Sequence, residues 1–302
     1  MSFEKTCSPK AEAISYSQVE PYRSNTPERI KPFLRWAGGK TWLVKYTDQI
    51  IDTNKIRGYH EPFVGGGAVF FSLPRIKRTY LSDINPKLIN AYIQVRDNVE
   101  LVIKHLRSFE NSRSFYNEIR SEESDDTIWS AAQFIYLNQT SFNGIYRENL
   151  NGVYNVPYGN RTKDFIQDHL LREASQRLKH VNIRCHEFDK KLNYIREGDL
   201  VFLDPPYTIT HNNNGFIKYN KKLFSLNDQH RLSHFIQRIV DLGAYYILTN
   251  AAHAEIRKIF SADEPIELFR TSLVGGNKAA RGKYSEYLFT NLKTCRSLKI
   301  QR

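Results

Sequence analysis

The chain has 302 residues, of which 40% are hydrophobic and 25% charged, so it can fill a packed core and is not a disordered protein. No apolar run approaches the roughly 18–20 residues that a membrane-spanning helix needs. The first thirty residues contain no apolar segment typical of a signal peptide, so we expect a cytoplasmic protein. The sequence contains three cysteines that are far apart: Cys7, Cys185 and Cys295. Their number and separation exclude a disulfide scaffold, and because they lack the spacing of zinc ligands we expect no metal site.

The charge balance favours a polyanionic partner. The chain carries 44 lysines and arginines against 32 acidic residues, a formal charge of +12. Residues 270–302 contain eight basic residues and a single acid, Glu286. A solvated basic tail explains the last ten residues as well as a binding role does. Charge alone therefore does not identify a nucleic-acid enzyme.

Strands and helices alternate in the first third of the chain. Residues 1–30 are polar, contain three prolines and predict a flexible tail. Apolar spacing then predicts a helix over 40–52, a strand ending near 64, a helix over 68–73, a strand over 78–82 and a helix over 86–97. This order predicts a parallel sheet in an α/β domain.

A second segment, residues 98–177, has mixed charge, helical periodicity and an Asn- and Gly-rich stretch that indicates a hairpin near 142–160. The sheet pattern returns afterwards. We expect helices over 165–180, 226–242 and 252–260, strands over 181–186, 200–203 and 245–249, and an antiparallel pair formed by 268–273 and 284–290. The sequence thus predicts a core of residues 31–97 and 178–302, interrupted by an insertion.

A glycine cluster follows the first strand, and an acid ends the next one. Gly65 and Asp83 are eighteen residues apart, close to the spacing with which a glycine loop and a ribose-binding carboxylate hold an adenosine. Phe70 occupies the third glycine position of the dinucleotide pattern, so a nucleoside without phosphates, such as S-adenosylmethionine, fits better. A tight turn beside an exposed aspartate is the structural alternative.

A second glycine pair, Gly38-Gly39, precedes Lys40-Thr41 and superficially resembles a phosphate-binding loop. That loop requires glycine at position 34, which is Leu34, and a buried strand before it. What the pattern supports is a lysine in the first turn of a helix, able to attract a carboxylate.

The segment Asp204-Pro205-Pro206-Tyr207 follows the apolar run 199–203 and is the most informative part of the sequence. The carboxylate and the carbonyl of Pro205 are acceptors, and the tyrosine is an aromatic plate. Together they suit a planar ring with an exocyclic amino group. The two acceptors would bind the two hydrogens of that group, so that the lone pair of its nitrogen faces an electrophilic methyl group. A strand-terminating turn is the alternative.

Several motifs in order give the chain a resemblance to the Dam-like class of adenine-N6 DNA methyltransferases. They are FLRWAGGK (33–40), EPFVGGGAVFF (61–71), SDINPKLINAY (82–92), SFNGIYRENLNGVYNVPYG (141–159), FLDPPY (202–207) and GGNKAARGKYSEYLFTN (275–291). The resemblance covers about residues 31 to 291. It implies a Rossmann-like S-adenosylmethionine-dependent fold with a mostly parallel seven-stranded sheet, and target recognition by the insertion.

The resemblance also assigns site residues. It implies that the catalytic residues are Asp204, Pro205, Pro206 and Tyr207, and that S-adenosylmethionine contacts Trp36, Lys40, Phe63, Gly65, Asp83, Phe188 and Asp204. Phe188 is matched loosely. The target base would have to leave the double helix for Tyr207 to stack on it.

For DNA, the resemblance implies that Arg147 reads a guanine, which points to GATC as the target. The other implied contacts are Arg35 beside the target pair, Phe142 and Asn143 at the flipping site, and Ile145 and Pro157 against apolar base edges. The basic residues Lys278, Arg281 and Lys283 are candidates for phosphate contacts, with solubilising charge as the alternative. The chain departs from the family in having Phe142 in place of tyrosine and Glu148 beside the arginine.

The expected function is therefore methylation of adenine N6 in double-stranded DNA by a monomer. Cytosine N4, adenine in RNA and a glutamine side chain are alternative acceptors. Glutamine is disfavoured because related glutamine-modifying enzymes tend to have asparagine where this chain has Asp204. A catalytically silent DNA-binding protein on the same fold is a further alternative, against which the intact Asp-Pro-Pro-Tyr segment, Lys40 and Asp83 argue.

Overall fold

The computed structural model describes residues 29–44, 46–149, 152–161, 164–190, 192–208, 224–271 and 283–293. Its seven strands are β1 (Gly58–Glu61), β2 (Thr79–Asp83), β3 (Asn182–Cys185), β4 (Asp199–Leu203), β5 (Tyr245–Ala251), β6 (Ile266–Thr271) and β7 (Lys283–Thr290). They form one sheet in the order β3-β2-β1-β4-β5-β7-β6. The order reverses between β1 and β4, where α/β proteins place their ligands.

Strand direction agrees with the sequence prediction. The five strands β1 to β5 pair in parallel, and β7 runs antiparallel to both of its neighbours, β5 and β6. Both β1 and β4 are buried along their whole length, as expected of central strands covered on two faces. The predicted mostly parallel sheet with an antiparallel closing pair is confirmed.

The helices are α1 (Thr41–Val44), α2 (Thr47–Ile50), α3 (Ala68–Ser72), α4 (Pro86–Asp97), α5 (Val99–Arg107), α6 (Arg113–Ser121), α7 (Thr127–Thr140), α8 (Asp168–Leu178), α9 (Leu226–Asp241) and α10 (Ala254–Ile259). Several begin at a side-chain cap. Asn85 accepts from the backbone N–H groups of Lys87 and Leu88 ahead of α4. Ser225 and Asp228 form a capping box at α9.

The prediction of a single helix over 40–52 was wrong. The segment forms two one-turn helices, α1 and α2, followed by a 3-10 turn at Thr53–Lys55. The hydroxyl of Thr47 donates to the carbonyl of Val44 at 2.8 Å, so a side chain binds a carbonyl at the end of α1. Lys40 lies directly before the one-turn helix α1.

The predicted insertion packs against the sheet domain through a shared core. Buried residues of α6, α7 and α8 belong to the same apolar cluster as residues of the sheet and its flanking helices, among them Tyr116, Tyr136, Leu171, Phe71 and Tyr92. The opposite face of the sheet has its own cluster under α9 and α10. The described residues contain no helix long and apolar enough to cross a membrane.

The predicted tail, residues 1–30, lies outside the described residues except for its last two. Arg29 donates to both carboxylate oxygens of Asp48 at 2.6 Å, and the Ile30 N–H donates to the Phe71 carbonyl at 3.0 Å. These two residues therefore contact α2 and the end of α3.

A buried amide near the end of α7 holds the segment that leads to Lys40. The Asn138 side chain, which is 1% exposed, accepts from the Arg35 N–H at 2.8 Å and donates to the Arg35 carbonyl at 2.6 Å. Its neighbour Gln139 donates to the Phe33 carbonyl at 2.8 Å. The two amides thereby fix residues 33–35 against the insertion.

We predict that Asn138→Ala lowers the free energy of unfolding by about 2–4 kcal/mol, because two backbone groups of Arg35 lose their partner. Urea unfolding measures the change. Ser130→Ala, which removes one hydroxyl bond to the carbonyl of Ser124 ahead of α7, is the control and should cost less than about 1 kcal/mol. Equal losses in the two variants would contradict the assigned role of the amide.

Candidate active site

Four segments meet at the carboxyl edge of the parallel strands. They are the glycine loop after β1, Asp83 at the end of β2, the Asp204–Tyr207 segment after β4, and Lys40 before α1. The topology brings the first three together, because the carboxyl ends of parallel strands lie on one edge of a sheet. Lys40 joins them through direct contacts.

The glycine loop and Asp83 contact each other directly. The Gly65 N–H donates to one carboxylate oxygen of Asp83 at 3.1 Å, and the Asn85 N–H donates to the other at 3.0 Å. These bonds orient the carboxylate, while burial raises its pKa. Gly65 has φ +46°, and a Cβ there would lie 2.7 Å from the Trp36 indole nitrogen, so no larger residue fits.

Two stacked phenylalanine side chains lie beside this loop. The rings of Phe63 and Phe188 stack with centroids 5.3 Å apart. Arg231 of α9 lies 5.2 Å from the Phe188 ring and donates to Glu187 and Asp189, both at 2.7 Å. Phe188, which matches the family only loosely, thus lies next to Phe63. Its loop is held to α9 by the salt bridges of Arg231.

The centre of the site is a buried ion pair. The ammonium of Lys40, a residue 4% exposed, lies 2.7 and 2.8 Å from the two carboxylate oxygens of Asp204. Lys40 also donates to the Gly38 carbonyl at 3.0 Å, and the Thr249 hydroxyl donates to Asp204 at 2.8 Å. The sequence-based expectation that Lys40 attracts a carboxylate is confirmed.

Tyr207 is held at its hydroxyl end. The phenol donates to Glu286 of β7 at 2.7 Å, and the Lys40 ammonium lies 4.9 Å from the centre of the ring. The same Glu286 oxygen is 3.9 Å from that ammonium. One lysine, two carboxylates and a tyrosine thus form a single polar cluster next to Pro205 and Pro206.

Burial dominates the electrostatics of the cluster. It raises the pKa of Asp204, an effect that the Lys40 ammonium opposes and the Glu286 carboxylate strengthens. Burial also raises the pKa of Glu61, at the end of β1, to about 8, with a smaller opposing effect from the Tyr59 hydroxyl that donates to it at 2.7 Å. Burial therefore favours the protonated form of Glu61 at pH values where an ordinary glutamate is ionised.

Three residues in or beside this cluster were not among those expected from the sequence as site residues: Glu61, Thr249 and Glu286. Glu286 had a signal, since it is the single acid in the basic segment 270–302. Thr249 had none, because a threonine inside a strand is ordinary in any sheet.

We predict that Glu61→Gln stabilises the protein increasingly as the pH rises from 4.5 to 8. In that range the unfolded wild type ionises Glu61 whereas the folded state keeps the proton, so wild-type stability falls by at most about 1.4 kcal/mol per pH unit. Urea unfolding at pH 4.5, 6 and 7.5 measures the difference, with the exposed Glu118→Gln as the control. A difference independent of pH would contradict the raised pKa.

The insertion presents a hairpin next to this edge. Bridges join Ser141 to Tyr158 and Glu148 to Tyr154, and Asn155 N–H donates to the Arg147 carbonyl at 3.0 Å. The side chain of Arg147 donates from Nε to the Asn155 side chain at 2.8 Å and from Nη2 to its carbonyl at 3.3 Å. Asn155 therefore fixes the direction of the guanidinium group.

The other predicted base-contacting residues lie on the same hairpin. Phe142 is 53% exposed, Asn143 and Pro157 are also exposed, and Ile145 is half-buried. Asn143 adopts a left-handed conformation with φ 57°, which asparagine tolerates well. An aromatic ring thus projects into solvent at a sharp turn.

The hairpin contacts the lysine-bearing segment as well. Arg35 donates to the Ser141 carbonyl at 3.4 Å, and its side chain would be 2.5 Å from a Cβ at Gly144. Trp36 stacks on Tyr146 with centroids 5.8 Å apart and planes 15° from parallel. Residues 35 and 36 therefore connect the glycine loop with the hairpin.

Glu148, which departs from the family pattern, does not pair with Arg147. It accepts from Lys87 of α4 at 2.8 Å and from the Tyr146 hydroxyl at 2.5 Å. The acid ties the hairpin to α4 and leaves the charge of Arg147 intact. The expected phosphate contacts Lys278 and Arg281, and the side chain of Lys283, lie outside the described residues.

Comparison with known proteins decides the family. A family model described as D12 class N6 adenine-specific DNA methyltransferase matches residues 36–271, well over half of the chain. The chain belongs to this family. It is an adenine-specific DNA methyltransferase, and its seven-stranded sheet is consistent with the expected methyltransferase fold.

Three individual relatives support the same family assignment. The chain is 33% identical over 278 residues to the type II methyltransferase M1.LlaDCHI of Lactococcus lactis subsp. cremoris, covering 87% of this chain and 95% of that protein. It is 35% identical to the type II methyltransferase M.MjaIII of Methanocaldococcus jannaschii, covering 75% and 86%. A DNA adenine methylase of Vibrio cholerae is 27% identical, covering 86% and 96%.

Proposed function

We propose that this methyltransferase transfers the methyl group of S-adenosylmethionine to N6 of the adenine in GATC, after that base has left the double helix. The observation that carries the proposal is the cluster of Asp204, Tyr207 and Lys40 at the sheet edge, next to the glycine loop. It combines a hydrogen-bond acceptor and an aromatic ring with an adjoining glycine loop that carries an oriented carboxylate, Asp83.

The residues present fit the cofactor. Asp83 offers a carboxylate oriented by two backbone amides, suited to ribose hydroxyl groups. Phe63 and Phe188 provide aromatic faces for the adenine ring. Gly65 lets Trp36 pack directly on the loop, since a Cβ there would lie 2.7 Å from the indole nitrogen. When bound, the cofactor supplies an electrophilic methyl group on a sulfonium sulfur.

The reaction then depends on positioning. The carboxylate of Asp204 and the carbonyl of Pro205 accept the two hydrogens of the amino group, which turns the nitrogen lone pair towards the methyl group. Tyr207 holds the ring by stacking. Asp204 also stabilises the positive charge that develops on the nitrogen, and its buried setting strengthens this effect.

The position of Tyr207 supports base flipping. Tyr207 is half-buried at the sheet edge, where its ring lies beside the buried Lys40 ammonium, so a base would have to leave the duplex to stack on it. Phe142, an exposed aromatic residue on the hairpin, is suited to fill the gap that the base leaves in the stack.

Guanine recognition is supported by how Arg147 is held. Asn155 takes the Nε and one Nη2 N–H, and within the described residues Nη1 has no hydrogen-bond partner. The end of the guanidinium group is then available for a bidentate contact with O6 and N7 of guanine. Arg35, Ile145 and Pro157 would contact neighbouring base pairs.

We predict that the wild type transfers labelled methyl groups from S-adenosylmethionine to a duplex containing GATC, and that digestion yields N6-methyladenine. The matched control is a duplex in which 2-aminopurine, which lacks the N6 amino group, replaces the target adenine. Methylation of adenine in other sequences would overturn the GATC assignment alone. Label on cytosine, on RNA or on no nucleic acid would overturn the proposed reaction.

A second prediction concerns Arg147. Replacing the target guanine by 7-deazaguanine removes the N7 acceptor and should lower wild-type kcat/KM about tenfold. Arg147→Ala should be slower with both duplexes and no longer distinguish them. Arg172→Ala, which removes a surface arginine paired with Glu100, should keep the wild-type discrimination. Discrimination retained in Arg147→Ala would show that another residue reads this guanine.

A further inference from the structure

Glu286 occupies a rigid position in the sheet. It lies in β7, between two strands, and its register partners are Ala251 of β5 and Leu268 of β6. The residue is 3% exposed. A side chain on a strand that is paired on both sides has little freedom to move, so its carboxylate is a fixed acceptor.

Tyr207, by contrast, lies outside regular structure. It follows two prolines beyond the end of β4, in a stretch that belongs to no helix or strand. Its ring is half-exposed. The bond of 2.7 Å from its hydroxyl to Glu286 connects this loop residue with the sheet.

The same cation lies beside both Glu286 and Tyr207. The Lys40 ammonium lies 3.9 Å from the Glu286 oxygen that receives the tyrosine proton, and Lys40 is at the same time paired with Asp204. The same ammonium is close to the face of the Tyr207 ring. The ring is thus constrained at its hydroxyl by Glu286 and at its face by Lys40.

We propose that Glu286 is the positioning residue of Tyr207, and that its carboxylate holds the phenol ring at the angle needed to stack on the target base. This inference rests on the proposed function, because it assigns to Tyr207 the stacking role. The hydroxyl of Tyr207 takes no part in the chemistry in this account. It serves as the attachment point through which β7 fixes the ring.

The proposal predicts that removing either end of the bond has the same effect. A ring that is not held in place before each turnover reacts more slowly, so loss of this hydrogen bond should lower the single-turnover rate about tenfold. The variants are Tyr207→Phe, Glu286→Ala and the double variant, because glutamine at 286 would keep an acceptor oxygen for the phenol. Tyr207→Phe changes one oxygen atom only, so the test does not depend on how well Glu286 variants fold.

The chain offers a matched control in the same sheet. The Tyr246 hydroxyl of β5 donates to the Asp263 carboxylate at 2.6 Å, a bond of the same kind that lies outside the site. Tyr246→Phe should therefore leave the rate of methyl transfer unchanged. It corrects for any general effect of removing a buried phenol–carboxylate bond.

Two measurements on GATC duplexes separate positioning from structural damage. The first is the single-turnover rate with saturating S-adenosylmethionine. The second is the fluorescence of 2-aminopurine at the target position, which rises when the base leaves the stack and falls when an aromatic ring covers it. Loss of the fixed ring should leave the flipped base uncovered, so the variant complexes should be brighter than the wild-type complex.

The expected result is a similar rate loss in Tyr207→Phe and Glu286→Ala, no further loss in the double variant, and brighter fluorescence in all three. Losses that multiply in the double variant, or an unchanged rate in Tyr207→Phe, would overturn the inference while wild-type activity upholds the proposed function. Dimmer fluorescence would assign the effect to flipping or folding and would also overturn it. A wild type inactive on every DNA duplex would overturn both.

Discussion

The ion pair between Lys40 and Asp204 is the interaction on which the site depends. Lys40 is buried and the Asp204 side chain is only 19% exposed, and a charge removed from water without a partner is costly, so the two segments have to come together as a pair. The pair joins residues 164 positions apart and places the helix start after Gly39 against the end of β4. Thr249 and Glu286 then complete the cluster from two further strands.

The short segment 33–40 contacts both the insertion and the sheet domain. At one end Asn138 and Gln139 of the insertion hold its backbone, and at the other Lys40 contacts Asp204 after β4. Between them Trp36 packs on the glycine loop and stacks on Tyr146 of the hairpin. Because the same residues contact the glycine loop and the hairpin, the distance between the two is set by direct packing.

Much of this arrangement could be predicted from the sequence, because its signals are local. The glycine loop, Asp83 and the Asp204–Tyr207 segment each follow a recognisable strand, and parallel pairing brings them to one edge. Contacts made across the fold leave no such pattern. Tyr207 and Glu286 are 79 positions apart, and Asn138 and Arg35 are 103 apart. The break between α1 and α2 was missed because a single hydroxyl contact at Thr47 competes with helix periodicity.

The most direct test of the account is the single-turnover rate of Asp204→Asn, compared with its affinities for S-adenosylmethionine and for a GATC duplex. Asparagine keeps the shape and an acceptor oxygen for Lys40 but loses the negative charge. The account predicts that methyl transfer falls by about 10²–10³-fold while both affinities stay close to those of the wild type. Transfer at the wild-type rate would contradict the role of the Asp204 carboxylate and with it the proposed mechanism.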